Sequence, residues 1–191
     1  HDAARKIELH QAGLDGAFLP LSIAAQREGL FDYTILVAQD TEVTGFVAFT
    51  QEELAWLYVD PARHRRGIGR ALAQAALAQM GPGPRTVEVL AGNLPALSLY
   101  RSLGFTQEEI VHGHMPGNED FPSPSTACRL RRSPRNRLKP EASGPGRPLC
   151  RILIRHFHQG GIRMTIRQTL EQEEHRRLDP RAAFSDQSRG R

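Results

Sequence analysis

Residues 57–72 read Leu-Tyr-Val-Asp-Pro-Ala-Arg-His-Arg-Arg-Gly-Ile-Gly-Arg-Ala-Leu, and the hydrophobic period changes inside this stretch. Leu54 to Val59 is a strand pattern, and Asp60-Pro61 stops it. From Gly67 to Met80 the pattern is helical and rich in alanine and leucine, with Ile68, Leu72, Ala76 and Met80 on one face. Between the two, Gly67 and Gly69 let the backbone turn sharply. Successive N–H groups are then left unpaired at a helix start, where the helix dipole adds partial positive charge. Arg65, Arg66 and Arg70 add full charges nearby. Such a turn suits a pyrophosphate. Two better-known phosphate motifs fail: Leu72 stands where a dinucleotide fingerprint needs Gly or Ala, and no Gly-Lys-Ser/Thr follows. On these residues alone, a plain glycine turn before a helix stays open as the alternative.

Upstream, residues 4–11 (ARKIELHQ) read as a short opening strand. Residues 14–30 are helix-like but broken by Pro20. Residues 34–39 and 43–50 are strands joined by a polar turn, so with 54–59 they make an antiparallel meander. Downstream, Gly81-Pro82-Gly83-Pro84 ends the helix and residues 86–90 form another strand. A second helix spans 93–103, with Asn93 as N-cap, Pro95 in the first turn and Gly104 just past the end. Its apolar face is Ala96, Leu99/Tyr100 and Leu103. Two last strands, 106–112 and 125–130, are separated by a Gly- and Pro-rich loop (GHMPGNEDFPSP). The class is α/β, or α+β.

The order of these features is specific. A meander, then VDP, then RRGIG opening a helix, then N-x-x-A-x-x-x-Y-x-x-x-GF from Asn93 to Phe105 resembles the GNAT superfamily of acyl-CoA-dependent N-acetyltransferases. The resemblance covers about residues 7–130. It implies a mixed, mostly antiparallel sheet, flanked by helices and splayed between its fourth and fifth strands (54–59 and 86–90). Acetyl-CoA would lie in the gap as co-substrate. On that resemblance, Leu57, Tyr58 and Val59 give main-chain contacts to the thioester arm. Arg65, Arg66, Gly67, Ile68, Gly69 and Arg70 wrap the pyrophosphate, and Asn93 contacts the cofactor arm. Tyr100 protonates the departing thiolate, and Glu88 serves as base. The bland readings remain beside these: Tyr100 as a core tyrosine, Glu88 as a carboxylate on an exposed strand face. His64 stands where the family usually has Gln or Arg. The implied activity is acetyl transfer to a primary amine, on a small molecule or a peptide, by direct attack on the thioester. A non-catalytic acyl-CoA sensor on the same fold is the alternative, and a homodimer is left open.

Composition limits the rest. The chain has 191 residues, 39% hydrophobic and 24% charged: one domain with a core, or one domain and a tail. No apolar run reaches the roughly 20 residues of a membrane helix, and the opening HDAARKIELH lacks the apolar core of a signal peptide. Two cysteines, Cys128 and Cys150, build neither a disulfide framework nor a four-cysteine zinc site, which points to a reducing cytoplasm. His156 and His158 lack a third ligand, so no metal is expected. Residues 1–129 hold 10 of the 25 lysines and arginines but 15 of the 21 carboxylates. The basicity therefore belongs to residues 131–191, a Pro/Gly-rich linker and tail with one helix at 164–178. Nucleic acid is not expected as a partner of the acidic body. Residues 164–191 weakly resemble the opening of deoxynucleoside-triphosphate triphosphohydrolase-like proteins. The catalytic His/Asp domain of that family is absent here, so no such activity is carried over.

Overall fold

The computed structural model describes residues 1–130, together with 157–158 and 161–162. The helix expected at 164–178 and the basic linker lie outside these. The chain opens with α1 (Asp2–Ala12), a 3-10 turn (Asp15–Ala17), α2 (Leu21–Arg27) and a second 3-10 turn (Leu30–Asp32). The meander follows as β1 (Thr34–Gln39), β2 (Val43–Phe49) and β3 (Leu54–Val59). Then come α3 (Ile68–Gln79), β4 (Arg85–Leu90), α4 (Leu94–Ser102), β5 (Thr106–Met115) and β6 (Asn118–Leu130).

Residues 4–11 are helix, not the expected opening strand. Four of the first eight residues of α1 are Ala, Lys or Arg, good helix formers. Arg5 pairs with Glu8 one turn on. Burying Leu9 completely then fixes which face turns inward. Ile7 on another face is left exposed.

The expected loop 113–124 is also overturned. It is the distal half of a long β5–β6 hairpin with a two-residue turn at Pro116-Gly117. Pro122 and Pro124 suggested a loop because proline cannot donate to a ladder. Here they oppose His114 and His112. The Pro124 carbonyl points away from β5 and accepts from the Ala91 amide at 2.9 Å. By alternation both missing donors lie on the side that β5 does not use. His112 and His114 are thus exposed strand residues.

Two sheets result. One runs β3-β2-β1 and continues at the β1 edge with a small hairpin, β7 (Phe157–His158) and β8 (Gly161–Ile162). The other runs β4-β6-β5, and every pairing within both sheets is antiparallel. They meet at a parallel bridge between Glu53 and Thr86, where the Thr86 amide donates to the Glu52 carbonyl at 2.8 Å. That bridge sits at the start of both β3 and β4. The sheet is therefore mixed and splayed between the strands expected to part.

The main core lies on one side, where Ile68, Leu72 and Ala76 of α3 with Met80 just past its end, and Leu97 and Tyr100 of α4 with Leu103 just past its end, meet Val47, Phe49, Val87 and Val89. On the opposite side Ala24 and Ala25 of α2 pack on Ile35, Ala48 and Trp56. Leu9 of α1 packs with Ala17, Leu90 and Met115. Helices thus cover both faces and leave the mouth of the splay between them.

Candidate active site

The turn after β3 is built from local signals. Asp60 accepts from the Ala62 amide at 3.0 Å, which starts a 3-10 turn at Pro61–Arg63. Arg65 and Gly67 then take left-handed φ of 63° and 82°. Gly67 is the N-cap of α3, and no side chain caps the helix there. The first-turn amides are left for a ligand, at the positive end of the dipole. Arg65, Arg66 and Gly67 are exposed around them, whereas Ile68 is buried and anchors the helix. Arg70 turns aside and donates to the Ser102 hydroxyl at 3.0 Å, tying α3 to α4.

Along β3, Asp60 N donates to Thr44 O on the β2 side at 2.8 Å. By alternation Tyr58 also spends its main chain on β2, opposite Phe46, while Leu57 and Val59 present theirs to the splay. His64 uses this arrangement: its ring Nε2 lies 3.1 Å from the Val59 carbonyl. The histidine therefore occupies a main-chain acceptor that faces the gap.

Side chains on β3 and β4 divide by face. Leu57, Val59, Val87 and Val89 join the main core. Trp56, Tyr58, Glu88 and Leu90 turn to the side covered by α1 and α2. Trp56 is buried, with its ring against those of Phe46, Tyr58 and His1. Glu88 is exposed and accepts from the Ser125 hydroxyl at 3.2 Å. Burial, then the neighbouring Glu88 charge, raises the Glu53 carboxyl above its ordinary value.

Asn93 caps α4 as its type and position predict, its Oδ1 accepting from the Ala96 amide at 3.1 Å. Its Nδ2 donates to Glu8 of α1 at 2.8 Å, a tie that spans the splay. Tyr100 is 4% exposed, its ring edge-on to Phe105. Its hydroxyl has no hydrogen-bond partner among the described residues. Burial first, then Tyr58 and Glu8, pushes this phenol well above its ordinary value, so it stays protonated. Tyr58 is raised likewise, chiefly by burial. The structure thus gathers Leu57, Tyr58, Val59, Asn93 and Tyr100 around the splay. The Arg65–Gly69 turn lies at its end, and Glu88 stands on β4, which borders the splay, with its side chain exposed. Sequence reasoning missed Glu8 and Arg5 because it placed them on a strand.

Among the described residues no three His, Cys, Asp or Glu side chains converge as a metal site. No helix among them is long and apolar enough to cross a membrane.

The site is thus a splayed mixed sheet with a dipole-backed glycine turn at its mouth and a protonated phenol beside it. Residues 31–107 match the family model described as the acetyltransferase (GNAT) domain. The chain is similar to the [ribosomal protein bS18]-alanine N-acetyltransferase of Escherichia coli K12, 35% identical over 80 residues, which is 39% of this chain and 54% of that protein. The Salmonella typhimurium enzyme of the same name matches equally, at 35% over 80 residues. The chain spans about half the length (54%) of these curated relatives. The crystal structure of the Escherichia coli S18-alanine enzyme aligns with a TM-score of 0.48 and 26% identity, covering 63% of this chain and 83% of that one.

Proposed function

We propose that the protein is an acetyl-CoA-dependent N-acetyltransferase whose acceptor is a primary amine. The observation that carries this reading is the splay itself. The main chain of Leu57 and Val59 faces it, with His64 resting on the Val59 carbonyl, an uncapped helix start lies at one end, and Tyr100 with its unpartnered hydroxyl lies inside. Acetyl-CoA supplies the thioester. The Arg65–Gly69 amides hold its pyrophosphate, with Arg65 and Arg66 adding charge. Leu57 and Val59 pair with the pantetheine as an extra strand would, and Asn93 keeps α4 in place against Glu8. The amine attacks the thioester carbonyl, and the Tyr100 hydroxyl protonates the leaving thiolate. Much of the rate comes from holding the two reactants together. The relatives' names support an α-amine on an N-terminal alanine as first acceptor to try. A buried free thiol, Cys128, fits a reducing compartment such as the cytoplasm.

The test is acetyl-CoA turnover against a panel of an alanine-led peptide, a lysine-containing peptide, a polyamine and an aminoglycoside, read as thiol release. Release with one acceptor class is the expected result. Binding of acetyl-CoA without release on any acceptor would favour the non-catalytic sensor, and no binding at all would reject both.

A further inference from the structure

Where α1, α2, β3 and the β5–β6 turn meet, the fold encloses a cavity of about 10 Å³ lined by His1, Arg5, Glu28, Tyr58, Met115 and Pro116. That is room for one water molecule. Two of its polar walls are unspent. The Tyr58 hydroxyl has no hydrogen-bond partner among the described residues, and the Glu28 carboxylate makes neither a hydrogen bond nor an ion pair there. Arg5, whose charge acts on Glu28, is committed to Glu8. Glu28 is nonetheless fixed in place. It is the C-cap of α2, its amide bonded to Ala24 O at 2.8 Å, and the hairpin tip at Gly117 packs on its side chain. Tyr58 connects this cavity to the splay, since it lines the one and stands on β3, which borders the other.

Resting on the transferase reading above, we propose that Glu28 is the general base of the acetyl transfer, receiving the amine proton through one water seated in this cavity against the Tyr58 hydroxyl. The amine lone pair forms the N–C bond at the thioester carbonyl. The proton of the resulting ammonium passes to the water, which gives one of its own to the Glu28 carboxylate. The C–S bond breaks, and the thiolate takes its proton from Tyr100, which recovers one from solvent as Glu28 loses its own. A base is most effective when it titrates near the working pH. Burial raises Glu28 to about 7, the Arg5 charge opposing and Glu119 adding to the shift. The other charged or titratable groups facing it are His1 from the start of α1, Tyr58 from β3, and Tyr33 at the start of β1. Glu88, by contrast, stands exposed on β4 with Ser125 as its partner.

The test measures kcat at saturating acetyl-CoA and alanine-led peptide from about pH 5 to 9, since kcat/KM would also carry the titration of the free α-amine at about 8. Wild type is expected to rise through a midpoint near 7. Glu28→Gln loses the rising limb and about a hundredfold or more in kcat at neutral pH, with acetyl-CoA affinity unchanged, while Glu88→Gln keeps the limb. A folded Glu28→Gln variant with wild-type kcat and limb overturns the proposal, as does loss of the limb in Glu88→Gln alone. If Glu28→Gln does not fold, Tyr58→Phe decides: about a tenfold fall in kcat with the limb retained supports the seated water, and unchanged kcat overturns it. Carbon NMR of the Glu28 carboxyl needs no turnover, and an ordinary carboxylate midpoint there rejects Glu28 as base. A wild type that turns over no amine rejects the transferase reading itself.

Discussion

At Tyr100 the ring and the hydroxyl have separable duties. The ring packs on Phe105 and is part of the main core, while the oxygen has no partner among the described residues. Tyr100→Phe should therefore leave the melting temperature nearly unchanged and lower kcat about a hundredfold, the low end for a general acid. Stopped-flow turnover beside a thermal melt checks both halves, and wild-type kcat under chemistry-limited conditions returns the residue to a packing role. Gly67 is the complementary position. A Cβ there meets nothing within 4 Å, yet φ is 82°, so a side chain costs backbone strain of about 1–2 kcal/mol and little crowding. Gly67→Asp adds a negative charge at the uncapped helix start. Calorimetry should find acetyl-CoA affinity reduced at least tenfold beyond that of Gly67→Ala. Both positions were legible in the sequence because a turn before a helix and a motif tyrosine are local features. The Asn93 cap was legible too. Its second bond, to Glu8, was not, because 85 positions separate the pair.

The elements show where local reading stops. Three strands of the meander and both later helices follow their patterns within a residue or two, since periodicity and caps act over short range. α1 was misread because a single buried leucine decides its face. The β5–β6 hairpin was misread because its prolines are acceptable only on the unpaired side, which no local signal reveals. That hairpin depends on Gly117, whose φ is 69° and where a Cβ would lie 3.0 Å from Glu28 Cγ and 3.1 Å from Arg27 Cβ. Gly117→Ala should cost about 2 kcal/mol, lowering the melting temperature by several degrees. Glu28 gives the same interface a pH dependence. Its folded value is raised from 4.5 to about 7, so between those values the folded protein holds a proton the unfolded chain has released. Stability from this group is full below about 4.5 and is lost as pH rises towards 7. Glu28→Gln should therefore stabilise the protein at pH 8, by about 1–2 kcal/mol after allowance for solvent screening, and change little at pH 4. Melts at the two pH values read the difference.

For the whole molecule, the first sheet has a vulnerable margin. Among the described residues, β1 is covered on its outer side only by the pairing of Ile35 with Phe157. The motif set ends before residue 131, so truncation after Leu130 should preserve a cooperative melt and acetyl-CoA binding. It also bares a strand edge carrying Ile35, and such edges pair with other chains. Light scattering should show the truncated protein associating at concentrations where the full chain does not. Loss of acetyl-CoA binding on truncation would instead make the tail part of the site.

The hairpin tip has a further consequence, for the order in which the chain folds. Arg27 donates to the Gly117 carbonyl at 3.0 Å across 90 positions, and Asn118 reaches the Ala17 carbonyl at 3.3 Å across 101. Closures of that span are paid in chain entropy before they return any contact energy, so they come late. Nearly the whole domain must leave the ribosome before Gly117 and Asn118 can latch onto the opening segment. Until then the cluster in which Leu9 and Ala17 meet Leu90 and Met115 stays incomplete, while the packing of α2 on Trp56 needs only residues already made.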